Sequence, residues 1–349
     1  MEISGKKQIN IREDNKSAVI HLLLQREFTL LQMSECLKLS HTALAKVMKE
    51  LMAKNVVTLK TSDAQTTGRP PKVYSIDGDC AIACAVVITR KKIYVYYFDM
   101  RGFQINEHVS DNVFDNMGAL LQNVLEDVVR LKVHPRLQGR VLKYIHIGLP
   151  SGTFLNQEFA LSAEMVTEQF TQKFPEVHIE VNRNVDYEII AEKTYGVLKD
   201  GQRNAVLLNF DDFVCASFLF NGDVYNGDTR SQGLLIDDTF HGLNVLMKQN
   251  EAFADDYVSK NEEVKMQLHK NMQTVLTQLR ATLQFLDVRE VVVSGAAKKL
   301  GDDFLVYLNE CLGGDKIVRF TVMGKNVQAA LAGAVWLSTY STLQEIISR

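Results

Sequence analysis

Two short stretches carry side chains suited to gripping a polyanion. His41, Thr42, Lys46 and Lys49 lie within the run SHTALAKVMKEL, residues 40 to 51. The second stretch, Gly68-Arg69-Pro70-Pro71-Lys72, follows close behind. Cationic ammonium groups meet phosphate oxygens, and a hydroxyl and an imidazole can reach base edges in a major groove. Arg69, set between a permissive glycine and two stiff prolines, suits a narrow minor groove, where the negative potential is deepest.

The elements around these residues position them for that chemistry. Leu44, Val47, Met48, Leu51 and Met52 recur at i, i+3, i+4, i+7, i+8, which predicts one apolar helix face. Thr42, Ala45, Lys46 and Lys49 then fall on the opposite face, and Ser40 is placed to cap the first turn. Thr29 and Gln32 form a capping-box pattern that opens a short helix ending near Leu37, and the Lys38-Leu39 link fits a helix-turn-helix. A further helix is expected from about Asn15 to Arg26. Two β-rich runs, 56–60 and 73–76, would flank a wing with Arg69 at its tip. The spacing therefore predicts a winged helix-turn-helix over residues 1–76, with Ser40, His41, Thr42, Lys46, Lys49, Arg69 and Lys72 facing double-stranded DNA.

Charge divides the same way. Residues 1–76 hold 12 Lys/Arg and 7 Asp/Glu, net +5, while the remaining residues hold 27 and 35, net −8. A basic head on an acidic body is expected when the head alone meets phosphate. The polar N-terminus lacks a signal-peptide core, and no apolar run is long enough to span a bilayer, so a cytoplasmic location without membrane attachment is expected. The five cysteines are scattered and odd in number, no CxxC or HExxH spacing occurs, and neither disulfide nor metal site is expected.

Residues 77–349 read as strands and helices in an order that occurs twice. Strand-like runs at 81–88 and 93–98 are followed by a helix at 117–131, a strand at 144–149, a strand at 177–181 and a helix at 187–195. Strands at 205–209 and 214–220 then turn at Asn221-Gly222, and a long helix at 261–286, a strand at 291–293 and a small-residue helix at 327–337 follow. This α/β order predicts a two-lobed body.

Several stretches carry a resemblance: Phe98-Asp99-Met100-Arg101-Gly102, Ile147-Gly148-Leu149-Pro150, Ala191-Glu192 with Tyr195-Gly196, Phe220-Asn221-Gly222, Val292-Val293-Ser294-Gly295 and Leu331-Ala332-Gly333-Ala334. With the head, they make the chain resemble the ROK family (repressor, open reading frame, kinase) over about residues 10 to 342. The resemblance implies a duplicated actin-like, ribonuclease-H-like fold and, from the head-plus-body layout, a sugar-responsive regulator of carbohydrate-related genes, in most cases a repressor. It also implies an interlobe cleft holding Asn182, Asn184, Asp186, Glu192 and Asp237, which would take a sugar or phosphosugar effector.

The family's kinase chemistry is not matched. Where the family has the aspartate of its first phosphate loop, this chain has Val87, followed by Thr89-Arg90 in place of glycines. Phe210-Asp211-Asp212-Phe213 replaces the second glycine-rich loop, and Asn184, preceded by Arg183, replaces the catalytic base. An amide cannot accept a sugar hydroxyl proton. Leu234 and Asp237 replace the sugar-contacting Glu and His, and the usual zinc-binding cysteines are missing. The expectation is a non-enzyme with no catalytic residue, cofactor or metal, working as a homo-dimer or tetramer so that two heads read two half-sites. The alternatives are a sugar kinase with an N-terminal extension and an interaction scaffold that binds no small molecule.

Overall fold

The structure is a computed structural model that describes residues 2–61, 72–113, 116–150, 162–211, 214–227, 234–235, 243–324 and 326–348. Arg69, with the remainder of the wing tip, and Asp237 lie outside the described residues.

The head contains α1 (Glu2–Leu23), β1 (Phe28–Thr29), α2 (Leu30–Leu37), α3 (His41–Ala53), β2 (Val57–Thr61) and β3 (Lys72–Ile76). The capping box at Thr29 forms as expected, with the Gln32 amide nitrogen donating to Thr29 Oγ1 at 3.3 Å and the Thr29 amide to Gln32 Oε1 at 2.9 Å. Ser40 Oγ likewise accepts from the Ala43 amide at 3.2 Å. Helix α1 starts well before the expected Asn15. Strands β1, β3 and β2 form one small antiparallel sheet in that order.

The first lobe follows, with β4 (Ile82–Ile88), β5 (Lys92–Asp99), β6 (Gln104–Asp111), α4 (Met117–Lys132), β7 (Leu142–Leu149), α5 (Ala163–Lys173), β8 (His178–Arg183) and α6 (Asn184–Thr194). The second lobe has β9 (Ala205–Phe210), β10 (Val214–Phe220), β11 (Asp223–Val224), β12 (Leu234–Leu235), α7 (Leu243–Gln249), α8 (Phe253–Val258), α9 (Glu262–Phe285), β13 (Glu290–Gly295), α10 (Asp302–Cys311), β14 (Ile317–Phe320) and α11 (Asn326–Ser348). Sheet order is β6-β5-β4-β7-β8 in one lobe and β11-β10-β9-β13-β14 in the other. In each, an antiparallel meander is extended by two parallel strands. The repeat expected from element order is thus a repeat of topology, that of the duplicated actin-like body.

The helices that end the two halves exchange lobes. Helix α6 leaves the first sheet and packs on β9 and β10, whereas α11 leaves the second sheet and packs on β4 and β7. The two helices lie against one another, and at Gly333 the backbone of α11 meets that of α6. A Cβ there would press into the Tyr187 carbonyl, so only glycine lets the backbones meet. Helix α11 runs to Ser348, about 35 Å in all, eleven residues beyond the expected end at Leu337.

Helix α11 also joins head to body. Val19, Ile20 and Leu23 of α1 share one apolar cluster with Ala330, Trp336, Leu343 and Ile347. A boundary at residue 76 therefore separates sheets but not cores.

Candidate DNA interface and ligand cleft

Helix α3 is positioned by its inner face. Leu44, Val47, Met48 and Leu51 are at most 5% exposed within the head core. His41, Thr42, Ala45, Lys46 and Lys49 are exposed on the other side, as is the cap residue Ser40. The acid on this helix, Glu50, lies one turn beyond Lys46 and is bound by Arg12 and by Lys16 at 3.5 Å. Those contacts hold its carboxyl below the usual range, the Arg12 hydrogen bond being the main cause. The outward charge of α3 is therefore that of Lys46 and Lys49. Lys72, at the start of β3, is exposed and lies opposite Thr61 in the wing register.

Between the lobes is a cleft of about 600 Å³, with Val87, Asn184, Glu188, Asn209 and Asp211 along its floor and Val327 and Ala330 of α11 at one side. Five cations, Arg90, Lys91, Lys92, Lys248 and Lys299, line its mouth. Lys92 pairs with Asp111 at 3.4 Å across an exposed edge.

The first turn of the cleft is closed by a side chain. Thr89 Oγ1 accepts from the Lys92 amide at 2.9 Å and donates to the Lys92 carbonyl at 2.8 Å. That turn presents a hydroxyl-locked loop, not a nest of free amides for phosphate. The second turn is also occupied. Asp211 Oδ1 accepts from the Ala296 amide at 3.0 Å, and Asn209 Oδ1 from the Asp211 amide at 3.1 Å.

Of the five residues expected to share a ligand, the four that are described do not converge. Asn184 reaches the cleft, and its Nδ2 donates to the Ile88 carbonyl at 2.8 Å, tying the start of α6 to the end of β4. Gly148 leaves room for that side chain. Asp186 is buried, gripped by Arg183 at 2.5 Å and by Ser217 Oγ at 2.7 Å. Glu192 is fully buried and ties α6 to the second lobe, accepting from Thr321 Oγ1, from the Val197 amide at 2.9 Å and from the Met323 amide at 3.3 Å. These bonds leave Glu192 in the framework and not on the cleft wall. Asn182 and Asp186 border a separate cavity beside α1.

Glu188 is the cleft residue that sequence reasoning passed over. It is 3% exposed, with Ser294 Oγ donating to it at 2.9 Å and Asn209 Nδ2 near both oxygens at 3.4 Å. Burial foremost, with Asp211 and Glu192 adding to it, pushes its carboxyl up to about 8. At neutral pH it is an uncharged acid, leaving the cations at the mouth in excess. No sequence signal marks it: the run Val185–Glu192 mixes three acids with apolar residues without periodicity, and only the structure shows the run to be buried throughout.

Among the described residues no group of His, Cys, Asp and Glu could hold a metal ion, and no helix is long and apolar enough to cross a membrane. No protein-family profile matches the sequence, and no curated protein matches it. Solved structures do. A ROK family transcriptional regulator, homologue of the E. coli MLC protein, superposes with a TM-score of 0.72 at 13% identity, covering 97% of this chain and 100% of that one. A ROK hexokinase from Thermus thermophilus gives 0.55 at 13% identity over 76% of this chain and 99% of its own. A ROK glucokinase from Streptomyces griseus, in complex with glucose and AMPPNP, gives 0.53 at 11% identity over 74% and 98%. The kinases cover about the body's share of the chain, and the regulator covers nearly all of it. The chain therefore shares its fold with these ROK structures, over the body with the kinases and over nearly its whole length with the regulator.

Proposed function

We propose that this protein is a DNA-binding transcriptional regulator whose ROK body senses a small anionic effector, such as a phosphosugar, and performs no phosphoryl transfer. The observation that carries this reading is the span of α11. Val327 and Ala330 near its start line the cleft, while the carbonyls of Ile346 and Ile347 in its last turn accept from Lys54 at the end of α3. One rigid element thus touches both the ligand space and the reading helix, and a cleft that closes on a ligand would re-aim the heads.

In this reading α3 enters the major groove. Lys46, Lys49 and Lys72 meet phosphate, Ser40 orders the first turn, and His41 and Thr42 meet base edges. Arg69 is assigned to the minor groove by its place in the sequence. Two half-sites require two heads, so the working form is a homo-dimer or tetramer. The sense of regulation is repression, by analogy with the family.

The excess of cations around the neutral Glu188 favours an anionic ligand, and the glucose-bound glucokinase of the same fold makes a sugar moiety the natural choice. Asn184 stands at the base's position and has no carboxylate to offer. A genome-wide binding map tests the reading. Discrete sites sharing a two-fold motif beside carbohydrate genes are expected, and uniform coverage without a motif would refute it. The kinase alternative predicts ATP-dependent phosphorylation of a hexose by the purified chain, and the expected result is none above background.

A further inference from the structure

A second cavity, of about 360 Å³, lies where the head meets both lobes. His21 comes to it from the last turn of α1 and Trp336 and Tyr340 from α11, with Lys193 of α6 and Asp223 and Asn226 around the hairpin turn of the second lobe. Its volume falls at the low end of small-molecule sites, about 300 to 1,000 Å³.

Its walls differ in kind. On one side Trp336 and Tyr340 stack with centroids 5.0 Å apart and planes 8° apart, and the His21 ring meets Trp336 edge-on at 5.4 Å. The rim opposite is polar and mixed. Lys193 Nζ donates to the Gly222 carbonyl, Asn182 donates to Tyr187 at 3.3 Å, and Asp223 and Asn226 are exposed at the edge. Trp336 is only 8% exposed, yet its indole N–H has no hydrogen-bond partner. That N–H is itself closed to solvent, so the cavity meets the indole elsewhere than at its nitrogen.

The charges nearly cancel. Asp186 is held by Arg183, the lining holds one further cation, Lys193, and one further acid, Asp223, and burial together with Lys193 keeps His21 neutral by lowering its pKa. The cleft invites an anion, whereas this cavity does not. Donors and acceptors are interleaved around an aromatic wall, and a ring bearing several hydroxyls satisfies both kinds while laying an apolar face on the indole.

We infer that the head–body joint is a second ligand site, one that takes an uncharged cyclic polyol of monosaccharide size against Trp336. Its occupant contacts α1, α6, α11 and the β10–β11 hairpin at once, and so fixes the angle of head to body. That this reaches DNA rests on the function proposed above; the binding itself does not.

Trp336 is the single tryptophan of the chain, so its emission reads this cavity directly. The full chain is titrated with D-glucose, D-mannose, D-galactose, N-acetylglucosamine and myo-inositol, without DNA. At least one is expected to give a saturable shift of emission that weakens tenfold or more in both Asp223→Ala and Asn226→Ala, two exposed positions whose replacement leaves the core untouched. No saturable change with any of the five would overturn the proposal. A saturable change of unaltered affinity in both variants would overturn it as well, because the sugar would then be bound elsewhere, in the interlobe cleft. Because DNA is left out, failure here leaves the regulator reading standing, and an absence of operator sites leaves this one standing.

Discussion

Lys54 Nζ donates to the carbonyl of Ile347 at 2.8 Å and to that of Ile346 at 3.3 Å. Lys54 is the C-cap of the proposed reading helix, and Ile346 and Ile347 lie in the last turn of α11. An ammonium there satisfies carbonyls that have no partner within the helix and opposes the negative end of its dipole. Lys54→Ala should lower the unfolding free energy by about 1 kcal/mol. Urea denaturation reads this directly, and an unchanged midpoint would mean that the contact contributes no net stability.

Lys46 and Lys49 supply the outward charge of α3. Lys46→Ala or Lys49→Ala should weaken binding to every DNA sequence and reduce the slope of log affinity against log salt by about one each. Thr42→Ala should instead alter sequence preference with a smaller loss of overall affinity. Binding measured at several salt concentrations separates the two kinds of contact. An unaltered salt slope in both lysine variants would place α3 away from phosphate.

Glu188 makes stability depend on pH in a definite direction. Its carboxyl titrates at 4.5 in the unfolded chain and at about 8 when folded. Below the lower value both states hold the proton and pH has no effect through this group. Between the two values only the folded state holds it, so stability falls as pH rises. The slope approaches about 1.4 kcal/mol per pH unit. Glu188→Gln keeps the shape and cannot titrate. The variant should therefore gain on the wild type steadily from pH 5 to pH 8, with buried histidines such as His146 cancelling in the comparison. Parallel stability curves for the two proteins would show that Glu188 ionises normally.

Gly333 allows α11 to lie on the backbone of α6. Gly333→Ala forces a methyl group against the Tyr187 carbonyl, and neither backbone can yield without moving a lobe. A loss of about 2 to 3 kcal/mol is expected, with the thermal transition correspondingly lowered. Wild-type stability in this variant would mean that the two helices are farther apart than described.

Much of the head is legible in the sequence. Thr29 with Gln32, Ser40 with Ala43, and the apolar spacing from Leu44 to Leu51 are relations within one turn of chain or between successive turns, and local physics decides them. The start of α1 is not legible in the sequence because its first residues lack apolar periodicity, nor is the end of α11, because a helix apolar on most sides gives little periodic signal. In the cleft, counting along the sequence placed Asn184 on the floor but gave Glu192 a ligand's role, although its oxygens bind Thr321, Val197 and Met323. Spacing assigns a residue to a helix and leaves open which neighbours claim its side chain.

The sequence by itself determined the elements of the head, the principal strands and helices of the body in their order, and the absence of glycine from 87–90 and 210–213, though not α5, α7, α8, α10 or β14, because capping, periodicity and backbone freedom act over a few residues. Only the tertiary structure decided what those elements join. Lys54 and Ile347 are 293 residues apart, and Glu188 and Ser294 are 106 apart. Contacts at such separations depend on how two lobes and a head pack around α11, and no local pattern encodes them. The cationic cleft, the neutral acid on its floor and the aromatic cavity at the joint all arise from that packing.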